Sequence, residues 1–211
     1  MQTTVKERLE ALQSSLEIRS RLIPTLPTST PCNGNLLRQF ETRGDPVLEA
    51  MKGAAISFIS DVRSRQRPYW LTLWGRAGKG NGTGKTFISG LIADALRASF
   101  GHVIPAKKCH WPSLCDRMQR EEETTHAFSF AEDCGLLILD DIGAEHQTSA
   151  MISKLCRLME SRLRKWTIIT TNLSPADWRD RDSRISSRLI RDGNRHLQCE
   201  TTDFANRATT K

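Results

Sequence analysis

The chain has 211 residues, which is enough for one well-buried domain with an appendage but too few for two ordinary domains. Lysine and arginine total 31 against 24 acidic residues, giving a formal charge of +7. This balance favours a polyanionic partner, with nucleic acid as the first candidate and a merely basic surface as the alternative. No apolar stretch is long enough to span a membrane and no signal-peptide core is present, so we expect a cytoplasmic protein with no membrane partner.

The six cysteines are dispersed without CxxC spacing, and several lie in apolar stretches. This pattern is typical of reduced, buried thiols rather than of a disulfide framework. Cys109, His110 and Cys115 lack a fourth ligand, so their spacing is a weak basis for a metal site.

An amphipathic helix is predicted over residues 2–22. Residues 23–31 cannot continue it, because their prolines remove backbone donors and fix φ. We therefore expect residues 1–33 to form a helix and linker that either packs back or docks on a partner, and residues 34–211 to form the main domain. The apolar positions of the helix recur at steps of four, three and four: Val5, Leu9, Leu12 and Leu16.

A strand, a glycine-rich turn and a helix form the centre of the sequence. A helix is predicted from Asp45 to residue 62, with Pro46 in its first turn. The apolar run 69–74 then predicts a strand, and a second helical pattern begins at Phe87. The chain between this strand and helix is the glycine-rich segment 78–86.

Segment 78–86 has the features of a phosphate-binding loop. Its backbone N–H groups can point inward, while the following helix directs the positive end of its dipole at the same anion. Lys85 is expected to reach the β and γ phosphates of ATP, and the Thr86 hydroxyl to ligate Mg²⁺. Lys79 stands where the GxxxxGK[ST] pattern has its first glycine, so either it takes that position or, as we favour, the loop is longer. The alternative is a flexible glycine-rich hairpin. The expected nucleotide contacts are Gly80, Asn81, Gly82, Thr83, Gly84, Lys85, Thr86 and Phe87.

Strands and helices alternate through the remaining chain. This alternation predicts an α/β fold with a parallel sheet covered on both faces. The predicted elements are a strand at 102–106, a helix at 112–120, an exposed polar segment at 121–127, a strand at 136–139, a helix around 151–163, a strand at 166–171, an Arg-rich helix at 181–191 and a strand at 195–199.

Two acidic residues follow the apolar strand 136–139. A strand buried on both faces would deliver Asp140 and Asp141 to its carboxyl end, where an open parallel sheet binds ligands. We expect Asp140 to orient Mg²⁺ and Asp141 to accept the proton of an attacking water, although two acids could merely cap the next turn. Asn172 ends a neighbouring strand and could bond the same water or the γ phosphate; alone it would be an ordinary turn residue.

In this order, the motifs resemble the AAA+ ATPases, and within them the DnaC-type helicase loaders and the related IstB-type transposition helpers. The resemblance implies a P-loop NTPase core in which a parallel sheet is sandwiched by helices, with no full C-terminal lid. It covers about residues 35–207 and rests on 84–86 as Walker A, 136–143 as Walker B, 169–172 as sensor 1 and 184–189 as the arginine-finger box.

The resemblance also implies an ATPase that acts as an oligomer, in which an arginine of one subunit reaches the γ phosphate of its neighbour. Arg188 matches the finger position best, with Arg184 one turn away as the alternative; a solvated or DNA-facing helix surface is the non-catalytic interpretation. Arg207 stands where the loaders carry a sensor 2-like arginine. Asp141 replaces the glutamate of many AAA+ proteins, and its shorter side chain favours slow hydrolysis.

Helicase loading is the function that this resemblance implies, in a phage or bacterial replication system. The N-terminal region would bind the replicative helicase, and the basic body would hold single-stranded DNA. The alternatives are a transposition helper that binds duplex DNA, a non-hydrolysing adaptor and a small-molecule P-loop kinase. The kinase alternative leaves Asn172 and Arg188 unexplained.

Overall fold

The computed structural model describes residues 37–75, 82–100, 106–120, 124–146 and 148–201, apart from the side chain of Asp192. The predictions for residues 1–33, for Gly80, Asn81 and for Arg207 lie outside these ranges. In the part of the chain that the structure describes, no helix is both long and apolar enough to cross a membrane.

A five-stranded parallel sheet forms the centre of the domain, in the spatial order β2-β3-β4-β1-β5. Because all neighbouring strands are parallel, their carboxyl ends meet at one edge. This confirms the predicted fold class. The strands are β1 (Trp70–Trp74), β2 (Ala106–His110), β3 (Leu136–Ile142), β4 (Trp166–Thr171) and β5 (Arg195–Gln198).

Apolar residues of the central strands are buried on both faces of the sheet. Leu137 and Leu139 belong to one large buried cluster, whereas Ile138 between them is buried but lies outside that cluster. Successive strand residues point to opposite faces, so each face has its own layer of helices. The strand expected at 136–139 is longer than predicted and continues through both acids to Ile142.

Seven α-helices are described, and a short 3-10 helix (Arg191–Gly193) follows the last of them. α1 begins where predicted, because the Asp45 carboxylate accepts from the backbone N–H groups of Val47 and Leu48 at 2.8 and 3.2 Å. The helices are α1 (Pro46–Ser64), α2 (Lys85–Phe100), α3 (Trp111–Gln119), α4 (Thr125–Asp133), α5 (Ser149–Ser161), α6 (Pro175–Arg181) and α7 (Ser183–Ile190).

The structure corrects the predicted elements at three places. The second strand extends over Ala106–His110, beyond the predicted 102–106, of which residues 102–105 lie outside the described ranges. The sequence pattern missed this extension because in β2 only Cys109 is buried. Helix α4 begins at Thr125, inside the segment 121–127 that was predicted to be exposed and polar. It continues to Asp133, through residues for which no element was predicted. The Arg-rich helix predicted at 181–191 is α7, which begins at Ser183 because Asp182 has extended backbone angles (φ −158°, ψ 108°) and caps it. Arg181 instead ends α6, a helix that the sequence analysis did not predict.

Candidate functional site

The carboxyl edge of the sheet opens into a cavity of about 830 Å³ beside the first turn of α2. The helix N-terminus and the ends of β3 and β4 surround it, so predicted site residues from three separate stretches of sequence are brought together. The cavity is lined by Gly82, Thr83, Gly84, Lys85, Thr86, Phe87, Gly90, Lys108, His110, Asp140, Asp141, Thr170 and Asn172.

Asp140 is a buried carboxylate with three donors around it. Its Oδ1 accepts hydrogen bonds from Thr86 Oγ1 at 2.8 Å and from Thr170 Oγ1 at 2.7 Å. Its Oδ2 forms an ion pair with Lys108 Nζ at 3.1 Å. The charge of Asp140 is thus compensated, and its side chain is fixed next to the hydroxyl predicted to bind the same metal.

Thr86 and Asp140 fit a Mg²⁺ ion chemically. Both are hard oxygen donors, and the Thr86 hydroxyl can donate to Asp140 while its lone pairs remain available to a cation. Mg²⁺ is usually bound by one or two protein ligands together with waters and substrate phosphates. The structure describes no cluster of three or more His, Cys, Asp or Glu that could hold a metal by itself. The pair therefore suits a metal that arrives with a phosphate ligand.

Asn172 links Lys85 to Asp141. Lys85 Nζ donates to Asn172 Oδ1 at 3.2 Å, and Asn172 Nδ2 donates to Asp141 Oδ1 at 3.3 Å. The two ends of one amide thereby hold a cation and a carboxylate in the same cavity. Desolvation lowers the pKa of Lys85, even though nearby groups that include Asp140 and Asp141 act in the opposite direction. An incoming phosphate would favour the charged form of this lysine.

A β-bulge brings both acids of β3 to the cavity. Consecutive side chains of a regular strand point to opposite faces, but the pairing of β3 with β4 shifts between Leu139 and Ile142. Asp141 lies in the left-handed region with φ 61°, and its N–H donates to Thr170 Oγ1 at 2.8 Å. Asp140 and Asp141 consequently both line the cavity.

A second cavity of about 480 Å³ adjoins the glycine-rich turn. Phe40 and Phe87 lie beside it with ring centroids 6.4 Å apart and an interplanar angle of 24°. Phe87 is a predicted nucleotide contact and is 52% exposed, whereas Phe40 is buried. Two aromatic rings next to a phosphate-type turn offer a stacking surface for a planar base. The sequence pattern gave no indication of Phe40, because it lies in a short polar connection.

The two candidate arginines of α7 do not line either cavity of their own chain. The Arg188 side chain is 13% exposed and contacts Glu160, while its Nη1 donates to the Arg184 carbonyl at 2.8 Å. The Arg184 side chain is 56% exposed and pairs with Asp182 at 2.8 Å. Of the two, Arg184 is the more accessible to a neighbouring subunit.

The sheet order, the helix that begins at Lys85 and the two acids at the end of β3 agree with the predicted P-loop fold. Neither a family model nor a curated protein matches the sequence. Among solved structures, DnaI matches with a TM-score of 0.62 and 18% identity, over 81% of this chain and 92% of that one. The DnaC helicase loader matches with a TM-score of 0.60 and 21% identity, over 77% and 94%.

The replication initiator DnaA, solved with AMPPCP and single-stranded DNA, matches with a TM-score of 0.54 and 15% identity. The match covers 80% of this chain but 51% of the DnaA chain, so this chain corresponds to about half of that protein. At these identities the comparisons establish the fold shared with DnaC-type AAA+ proteins.

Proposed function

We propose that this protein binds and hydrolyses ATP with Mg²⁺ and acts in DNA replication as a loader of a replicative helicase. The observation that carries the ATPase part is the linked set Lys85, Asn172 and Asp141, which lies in one cavity with the Thr86–Asp140 pair. In this proposal the set supplies a cation for the phosphates, a metal site and a base, which are the parts that phosphoryl transfer uses.

Each side chain has a distinct role in the proposed reaction. Lys85 binds the β and γ phosphate oxygens, and its positive charge stabilises the charge that develops in the transition state. Asp141 accepts the proton of the attacking water, and Asn172 fixes the position of that carboxylate. Mg²⁺, when bound at Thr86 and Asp140, neutralises phosphate charge. Asp141 has a short side chain on a bulged backbone, so we expect slow turnover.

Assembly of several subunits would complete the site. An arginine of α7 would reach the γ phosphate bound by the adjacent subunit and stabilise its charge in trans. Arg184 and Arg188 are the candidates, and Arg207 is proposed to contact nucleotide. The exposure of Arg184, whose side chain is 56% exposed, supports a role across an interface.

The proposed partners follow from charge and from the similar folds. The chain carries a formal charge of +7, which suits phosphate contacts with single-stranded DNA. The similar structures include a DnaC helicase loader and a DnaA bound to AMPPCP and single-stranded DNA. We propose that residues 1–33 bind the helicase and that residues 34–211 form the ATPase domain of a cytoplasmic assembly.

Nucleotide binding is tested with a fluorescent ATP analogue. Lys85→Ala should weaken binding about 10- to 100-fold, because a charge-assisted contact to phosphate is lost. Lys154→Ala is the matched control: this lysine lies on α5, outside the cavity, and its loss changes the net charge equally. Equal affinity of wild type and Lys85→Ala would overturn the nucleotide assignment.

Helicase loading needs separate tests. Phosphate release should increase with single-stranded DNA and disappear in Lys85→Ala. A purified hexameric helicase should be retained by the full chain and not by a chain lacking residues 1–30. Retention of a transposase together with duplex DNA would instead identify a transposition helper, and release unaffected by either DNA would contradict a DNA-dependent ATPase.

A further inference from the structure

Lys108 is a cation in the cavity that has no role in the proposed reaction. It lies on β2, opposite Ile138 of β3, and its side chain extends along the sheet to Asp140. Lys108 Nζ is 3.1 Å from Asp140 Oδ2; the Lys108 side chain is 46% exposed and that of Asp140 is 4% exposed. An almost buried carboxylate is therefore paired with a lysine that solvent reaches.

Lys108 and the two threonines contact different oxygens of the Asp140 carboxylate. Thr86 and Thr170 both donate to Oδ1, so Oδ2 is the carboxylate oxygen that Lys108 holds. A divalent cation bound by Thr86 and Asp140 would lie within a few ångströms of the Lys108 ammonium. Two cations at one carboxylate repel each other, and the exposed Lys108 is the one that can move away into solvent.

We propose that Lys108 is an internal counter-cation of Asp140 that Mg²⁺ displaces when nucleotide binds. Lys108 is in this sense a positioning residue, which sets the Mg²⁺ concentration at which the site holds nucleotide tightly. The inference rests on the proposed nucleotide-binding function and adds a means by which the same site is regulated.

The chemistry of lysine suits a displaceable cation. Its ammonium is a single point charge on a flexible stem, whereas the arginine guanidinium binds carboxylates through two parallel hydrogen bonds. An exposed ammonium can return to water without disturbing the core, so its displacement costs little. The buried Asp140 cannot move in the same way, and it would stay beside the phosphates with either cation.

The experiment is an equilibrium titration of a fluorescent ADP analogue at increasing Mg²⁺ concentrations, with wild type and Lys108→Met at the same nucleotide concentration. Lys108→Met should lower the half-saturating Mg²⁺ concentration about three- to tenfold, because no ion pair competes with the metal. In EDTA the same variant should bind the analogue more weakly than wild type, since Asp140 then repels the phosphates. These two opposite changes distinguish a displaced cation from a general loss of the site.

Lys107→Met is the matched control. Lys107 is the adjacent residue of β2 and lies 5.3 Å above the ring of Phe130, so its loss removes the same charge from the opposite side of the strand. It should leave the Mg²⁺ dependence unchanged. Lys108→Arg keeps a cation and should keep or raise the half-saturating Mg²⁺ concentration. If Lys108→Met folds poorly, Lys108→Gln takes its place and should lower that concentration in the same way.

The outcomes separate the two proposals. If wild type binds nucleotide in a Mg²⁺-dependent manner and Lys108→Met has the same Mg²⁺ dependence, the counter-cation alone is overturned. Equal shifts in Lys107→Met and Lys108→Met would also overturn it, because they would indicate a long-range charge effect. Absence of nucleotide binding by wild type at any Mg²⁺ concentration would overturn the proposed function and this inference with it.

Discussion

Thr86 Oγ1 donates a hydrogen bond of 2.8 Å to Asp140 Oδ1, although the two residues are 54 positions apart in the chain. Thr86 lies in the first turn of α2 and Asp140 near the end of β3, so the contact joins the glycine-rich turn to the central strand. Both oxygen donors of the proposed Mg²⁺ site are thereby held in place before a metal arrives. Such preorganisation reduces the conformational cost of binding.

Replacing the hydroxyl of Thr86 tests this site directly. Thr86→Val keeps the shape of the side chain but removes both the bond to Asp140 and the oxygen offered to Mg²⁺. We expect the gain in nucleotide affinity on adding Mg²⁺ to fall about 10-fold, measured as the ratio of dissociation constants with Mg²⁺ and with EDTA. Thr86→Ser retains the oxygen and should stay within about threefold of wild type. An unchanged ratio in Thr86→Val would contradict the assignment.

Nucleotide affinity should fall at alkaline pH because of Lys85. Burial lowers the pKa of this lysine below its ordinary value of 10.5, so in the free protein it loses its proton at a lower pH. The phosphates bind the charged form; affinity is therefore full below the free-protein pKa and decreases as pH rises through it. Titrations from about pH 7 to about pH 10 measure the decrease. Lys85→Arg, whose guanidinium stays charged, should bind with a flatter pH profile; a flat wild-type profile would contradict the prediction.

Asn172 should affect hydrolysis more than binding. Asn172→Ala leaves Lys85 able to bind phosphate but removes the amide that holds Asp141, so we expect turnover to fall about 10- to 100-fold while nucleotide affinity stays within about threefold. Asn172→Asp places a second carboxylate next to Asp141 and Lys85, and it should weaken both turnover and binding. Single-turnover phosphate release and equilibrium binding separate the two effects. A loss of affinity in Asn172→Ala as large as its loss of turnover would contradict the prediction.

The sequence was sufficient to predict the central strand–loop–helix unit and the acids at the end of β3, because these depend on local patterns. The apolar run before Asp140 indicates a buried strand, and Lys85 follows the glycine-rich turn at a fixed spacing. Geometry that depends on tertiary pairing could not be predicted in this way. The bulge that turns Asp141 into the cavity arises from pairing with β4 and from the Thr170 hydroxyl.

The contact between Lys108 and Asp140 could not be predicted from the sequence either. We placed the second strand at 102–106 and did not extend it to His110, since β2 alternates poorly: Lys107, Lys108 and His110 are polar, and the strand lies at the edge of the sheet. Without that strand, no argument connects Lys108 with Asp140. A lysine in a polar stretch carries no sequence signal for the carboxylate that it approaches in three dimensions.

Arg162 should stabilise the fold without affecting nucleotide binding. It is buried and donates to the Trp166 carbonyl at 2.6 Å, to Thr167 Oγ1 at 3.2 Å and to the Cys134 carbonyl. Burial lowers its pKa to about 10. Arg162→Met leaves these acceptors unpaired, so the free energy of unfolding should fall by about 3 kcal/mol in denaturant titrations. Nucleotide affinity at low temperature should stay within about twofold, since Trp166 begins β4 and the site lies at its other end. A similar loss of stability in Arg164→Met, an exposed arginine nearby, would contradict the prediction.

The exposure of Arg184 and Arg188 predicts different consequences for their removal. Arg188 packs against Glu160 of its own chain, so Arg188→Ala should lower the free energy of unfolding by about 1 kcal/mol, whereas the more exposed Arg184 should matter little for stability.

If Arg184 is the residue that reaches a neighbour, Arg184→Ala alone should lose hydrolysis while it still binds nucleotide. Mixing it with Lys85→Ala subunits should then restore activity, because some interfaces join an intact Lys85 to an intact Arg184. Recovery with Arg188→Ala subunits instead would assign the finger to Arg188, and no recovery with either variant at any ratio would exclude catalysis in trans by α7.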